Sequence, residues 1–121
     1  MSPTARTLKE LRDNGWTAEV VERWNPYARI RQDLFNVIDI VAIKPGCGIM
    51  GVQATSGGNV SARVKKAEAE PKLAAWLNSG GRFSVCGWAK RGPRGGRKTW
   101  EPRWVELPSK DGLLRERETR G

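Results

Sequence analysis

Asp39 interrupts the most apolar stretch of the chain, Val37-Ile38-Asp39-Ile40-Val41-Ala42-Ile43. A carboxylate there is costly unless it is paired, hydrogen-bonded or bound to a cation. The β-branched run reads as a central strand covered on both faces. Lys44-Pro45-Gly46-Cys47-Gly48 reads as a turn, and residues 49–56 as the returning strand. If Ile43 faces Ile49 across that turn, Val41 faces Gly51 and Asp39 faces Gln53. Thr55 then lies on the same side of the sheet. A carboxylate, an amide and a hydroxyl thus converge on one otherwise apolar face.

The residue inventory narrows the chemistry that such a site can perform. The 121 residues include no histidine and only two cysteines, Cys47 and Cys86, far apart and outside any CxxC pair. Zinc sites of the usual kinds, histidine acid–base catalysis and a disulfide framework are therefore not expected. What remains is carboxylates, amides, hydroxyls, lysines and a bound hard cation. Lysine and arginine number 22 against 13 acidic residues, a net charge of +9. From Arg82 onward there are 11 basic and 5 acidic residues, so the last third carries +6 of that excess. Lys90, Arg91, Arg94, Arg97 and Lys98 lie in a run without an anion. Such a field favours a polyanion, and counterion release makes DNA or RNA the expected partner. No apolar run reaches bilayer length and the N-terminus lacks a secretion signal, so cytoplasmic residence is expected, including in the host of a phage.

The elements that must position these groups can be read along the chain. Ser2-Pro3 reads as a helix start and Asn14-Gly15 as its stop. Residues 16–24 alternate like a strand ended by Asn25-Pro26, and residues 27–36 read as an irregular connection. After Gly57-Gly58-Asn59, a helical stretch runs to about Asn78 with a break at Pro71. Residues 83–88 form another strand, and residues 99–107 an edge strand marked by Pro102. The order α-β-β-β-α-β-β predicts an α/β fold with a mixed central sheet and flanking helices. Residues 1–107 are expected to form one domain and residues 108–121 a charged, flexible tail.

This arrangement resembles the PD-(D/E)XK nuclease superfamily, with an αβββαβ restriction-endonuclease-like core, and within it the small phage and archaeal Holliday-junction resolvases. Ile38-Asp39 stands where that family has Pro-Asp, and Gln53-Ala54-Thr55 where it has an acid, any residue and lysine. The resemblance spans roughly residues 4–88 and implies Mg²⁺- or Mn²⁺-dependent hydrolysis of DNA, on branched DNA in the resolvase case. It also implies a homodimer by analogy with many relatives. Asp39 carries over as a metal ligand, and Gln53 as one that supplies an oxygen but no charge. Thr55 cannot replace the cation of the motif lysine. Asp33, in the approach segment, is a further candidate ligand, and Glu10, Glu19 and Glu22 are candidates for another carboxylate, with Glu19 preferred. Arg63 and Lys66, on the helix after Asn59, are the candidate cations.

The Gln53 and Thr55 departures keep open a non-catalytic DNA- or RNA-binding protein with the same fold, and a basic structural protein. Of the six tryptophans, Trp76 and Trp88 are expected in the core and Trp16 and Trp24 packed beside a strand. Trp100 and Trp104, next to the basic run, either pack over the sheet or stack on bases.

Overall fold

The computed structural model describes residues 1–108. The expected flexible tail lies, beyond Pro108, outside the described residues. Helix α1 spans Pro3–Asp13 and starts where the sequence indicates: the Ser2 hydroxyl accepts from the Ala5 N–H at 3.1 Å, and Pro3 fills the first helical position. The chain then forms β1 (Thr17–Val20), a separate hairpin of β2 (Arg23–Asn25) and β3 (Ile30–Gln32), and the adjacent strands β4 (Ile40–Lys44) and β5 (Gly48–Ser56). A 3₁₀ turn, Gly57–Asn59, leads into α2 (Val60–Glu68) and α3 (Pro71–Asn78), followed by β6 (Arg82–Arg91) and β7 (Thr99–Leu107).

Among the described residues the result is an α/β fold with three helices and a mixed five-stranded sheet in the order β1-β4-β5-β6-β7. Strands β1, β4 and β5 are antiparallel neighbours, β5 and β6 are parallel, and β7 closes the far edge antiparallel to β6. The parallel pair needs a crossover, which α2 and α3 supply. Pro102 sits on β7, at the edge where its missing N–H is tolerated. Among the described residues no helix is long and apolar enough to cross a membrane.

Alternation along the strands builds two cores. Ala18, Ile40, Ala42, Met50, Val52, Cys86 and Trp88 bury one sheet face against Leu11 of α1. The buried Thr7 hydroxyl accepts from Trp88 Nε1 at 2.9 Å, tying α1 to β6. On the other face, Phe83, Val85 and Leu107 pack with Val60, Ala67 and Leu73 of α2 and α3, together with Val37 and Ile38. Gly51 makes room for that last contact: a Cβ there would lie 2.6 Å from Ile38 Cδ1. Gly87 similarly lets α2 approach β6, since its Cβ would lie 2.2 Å from Val60 Cγ2.

Four local expectations need correction. Residues 16–24 do not form one strand: the ladder ends at Val20, Val21 N–H donates to Asp39 O at 2.9 Å, and the chain leaves the sheet as a hairpin. Residues 27–36 accordingly contain β3 and are not irregular throughout. The strand expected at residues 37–43 begins only at Ile40, because a tight loop holds its approach. Leu34 and Ile38 exchange backbone hydrogen bonds of 2.7 and 2.9 Å, and Phe35 and Asn36 take positive φ of 52° and 67°. Trp24 is 57% exposed rather than packed. Trp88 is buried and Trp76 half-buried, as expected of core residues, while Trp100 and Trp104 are exposed.

Candidate metal centre

The end of the sheet where β1 and β5 finish and β4 begins gathers the chemistry. The register there is the one read from the turn: Ile43 faces Ile49, Val41 faces Gly51 and Ile40 faces Val52. Beyond Ile40 the chain bends, and Asp39 N–H donates to Val52 O at 3.0 Å. The Asp39 carboxylate turns to the next peptide of β5, both oxygens lying 3.2 Å from Ala54 N. Val21 follows β1 directly, so its bond to Asp39 O brings Glu22 to the same corner. Asp33 arrives from the other leg of the hairpin, immediately after β3. Glu22 and Asp33 thus bracket the β2–β3 hairpin, and each meets Asp39.

One carboxylate oxygen from each of Glu22, Asp33 and Asp39 lies within 4.8 Å of the other two. Asp39 is buried while Glu22 and Asp33 are half-buried, so the cluster opens outward on the hairpin side. Gln53 closes it from below: its side chain is 1% exposed, and Nε2 donates to Asp33 Oδ2 at 3.1 Å. Its other amide atom, Oε1, is buried and receives no hydrogen bond among the described residues. An orphaned amide oxygen is costly in an interior, and here it belongs to a side chain already bonded to a carboxylate of the cluster.

Burial pushes the Asp39 carboxyl up to about 8, and the negative charges of Asp33 and Glu22 add to that effect, against the opposing Ala54 hydrogen bond. Near neutrality Asp39 therefore holds a proton unless a positive charge arrives. Among the described residues a cation pairs with the cluster through Arg31, whose Nη1 lies 3.3 Å from Glu22 Oε1.

Asp39, Gln53 and Asp33 are thus brought together as expected. Glu19 is not part of the group: on β1 opposite Val41, its side chain is 80% exposed and its nearest partner is Arg12 at 3.9 Å. Glu22, three residues on, takes the place for which Glu19 was preferred. Glu10 lies on α1, against the opposite sheet face, beside Asn14. Arg63 and Lys66, on α2, make no ion pair among the described residues. Thr55 is buried on β5 opposite Gly87. Arg31 escaped sequence reasoning because its tie to Glu22 exists only once the hairpin closes. The sequence carries no periodic signal for that closure, since β2 and β3 are three residues each.

The basic run stands at the same end of the sheet. Gln53 is level with Val85 and Ser56 with Trp88 on the parallel strand β6, so Lys90 and Arg91 project beyond the cluster's level. Arg94, Arg97 and Lys98 follow in the exposed loop between β6 and β7. The Trp100 ring lies beneath two cations, 4.1 Å from Arg6 Cζ and 5.6 Å from Lys90 Nζ. Comparison with protein-family models, curated proteins and solved structures finds none that matches this chain.

Proposed function

We propose that this chain is a divalent-metal-dependent DNA endonuclease of the PD-(D/E)XK kind, built on an αβββαβ core with the β2–β3 hairpin added. The observation that carries the reading is the convergence of Glu22, Asp33 and Asp39 over a buried Gln53 whose Oε1 has no partner among the described residues. Three carboxylates and an amide form a hard oxygen donor set, which suits Mg²⁺ or Mn²⁺ rather than softer metals. Their mutual approach within 4.8 Å is close to the separation of about 3–4 Å between oxygens sharing one octahedral Mg²⁺. Asp39, Asp33, Glu22 and Gln53 would hold the ion. When bound, it would polarise a phosphodiester oxygen and ease deprotonation of an attacking water.

The remaining work falls to the chain's own groups. Asp39 gives up its proton as the ion enters and keeps its orientation through Ala54 N–H. Arg31, next to the cluster and on an exposed strand, supplies the cation that Thr55 cannot supply at the motif's lysine position. Lys90, Arg91, Arg94, Arg97 and Lys98 hold DNA phosphates at the same end of the sheet. A second reading, a DNA- or RNA-binding protein without catalysis, is favoured by Gln53 and Thr55 themselves, where the family carries an acid and a lysine. The deciding experiment offers supercoiled, branched and single-stranded DNA with Mg²⁺ or Mn²⁺. The enzyme reading predicts nicks or cuts that Asp39→Asn abolishes while DNA binding persists. Binding without cleavage of any substrate in either metal selects the second reading.

A further inference from the structure

The β2–β3 hairpin belongs to a sheet of its own, separate from the five-stranded one, and its outer surface is rich in groups that folding leaves unused. Trp24 is 57%, Ile30 50% and Tyr27 98% exposed, so these side chains add little to the core. The segment Arg23–Gln32 carries three arginines, at positions 23, 29 and 31, and no acid. Its tip is nonetheless organised. Asn25 Oδ1 accepts from the Tyr27 and Ala28 N–H groups at 3.0 and 3.1 Å, and Arg29 N–H donates to Asn25 O at 2.8 Å. A two-stranded hairpin has little stability of its own in water, and this one holds its two aromatic rings in the open among arginines.

The pairing assigns the faces. Trp24 is opposite Arg31, so both side chains project from the same face of the hairpin. Arg31 on that face reaches Glu22 of the acidic cluster at 3.3 Å. Trp24 is two residues from Glu22, about 7 Å along an extended chain, a distance comparable with one nucleotide step.

We propose that this hairpin is an arm that holds unpaired nucleotides beside the acidic cluster, Trp24 and Tyr27 stacking on bases while Arg29 and Arg31 take the flanking phosphates. The inference rests on the nuclease reading for what is cleaved, and it narrows the substrate to DNA that is single-stranded or opened next to the scissile phosphate. An intact duplex offers no free base face to these rings, whereas every unpaired base does, whatever its sequence. Arginine beside an exposed aromatic ring is the combination that single-strand binders use. A second copy of the chain is a poorer occupant, because two such hairpins would bring three arginines against three.

The test measures anisotropy of labelled oligothymidylate and of a duplex of equal length in EDTA, where cleavage cannot interfere. Trp24→Ala should weaken single-strand binding by roughly five- to one-hundred-fold, Tyr27→Ala should act in the same direction, and duplex binding should change less than about twofold. Thermal melts should be unaltered because both side chains are exposed. Equal losses for both DNAs, unchanged single-strand binding, or a shift from dimer to monomer in Tyr27→Ala would each overturn the arm. Failure of the nuclease reading looks different: wild type would bind oligothymidylate through Trp24 yet cleave nothing with any metal. Absence of binding to either DNA by the wild type would overturn both.

Discussion

Replacing Asp39 by Asn should stabilise the metal-free protein, and should do so increasingly as the pH rises. The folded carboxyl titrates near 8 against an ordinary 3.8, because it is buried and faces Asp33 and Glu22. Between those values the folded state holds a proton that the unfolded state has lost. Stability therefore falls as pH rises, by about 1.4 kcal/mol per pH unit. The loss is absent below the unfolded value and complete above about 8. Across the window it amounts to about 6 kcal/mol, and Asp39 is 5% exposed, so solvent screening relieves little of it. The Asn amide is never charged, and its oxygen still accepts from Ala54 N–H. Thermal melts in EDTA should show the two proteins converging near about pH 4 and diverging by about 20 °C or more near about pH 8.5, at about 4 °C per kcal/mol. Mg²⁺ or Mn²⁺ should raise the wild type's melting temperature at the higher pH and leave Asp39→Asn unmoved. A wild type whose stability is flat across this range, or an Asp39→Asn variant that is less stable at high pH, would refute the burial argument.

Other outcomes follow from the same geometry. Gln53→Glu adds a charge at the orphaned amide, so it should tighten Mn²⁺ binding about tenfold or more in calorimetry and destabilise the metal-free fold by about 1–3 kcal/mol. Arg31→Gln removes the cation beside Glu22; the pair joins an exposed arginine to a half-buried glutamate and is worth about 1 kcal/mol of stability, yet cleavage should fall about a hundredfold while Mn²⁺ binds as tightly or tighter. Replacing Arg94, Arg97 and Lys98 together by Ala should weaken DNA binding and flatten its salt dependence by about 0.9 log unit per lost phosphate contact; an unchanged slope removes that loop from the interface. Glu19→Gln should leave metal affinity and cleavage unaltered, because Glu19 lies outside the cluster.

The strands under the site were legible because a short turn transmits register without loss. Gly46 and Gly48 take positive φ of 81° and 84° at the turn, and the assumed pairing of Ile43 with Ile49, which places Val41 opposite Gly51, is the register observed. Asp39 was legible for a different reason: a carboxylate in an apolar run must have an uncommon environment. The hairpin was not legible. Its strands are three residues each, too short for alternation to register, and Val20 and Trp24 continue the apparent pattern of β1 across the point where the chain leaves the sheet. That one misreading made Glu19 look like the site's third acid, because an unbroken strand gives no reason to prefer Glu22. It also hid Arg31, which is distant from Glu22 in an irregular loop and adjacent to it in a closed hairpin.

Whether Glu22, Asp33, Asp39 and Gln53 form a cation site is decided by calorimetric titration of the wild type and Asp39→Asn with Mn²⁺ near about pH 8. A single site is expected in the wild type, with heat that varies with the buffer's ionisation enthalpy as Asp39 releases its proton, and loss of that site in Asp39→Asn while Glu19→Gln retains it. Absence of binding to the wild type, or equal binding to Asp39→Asn, would contradict such a site.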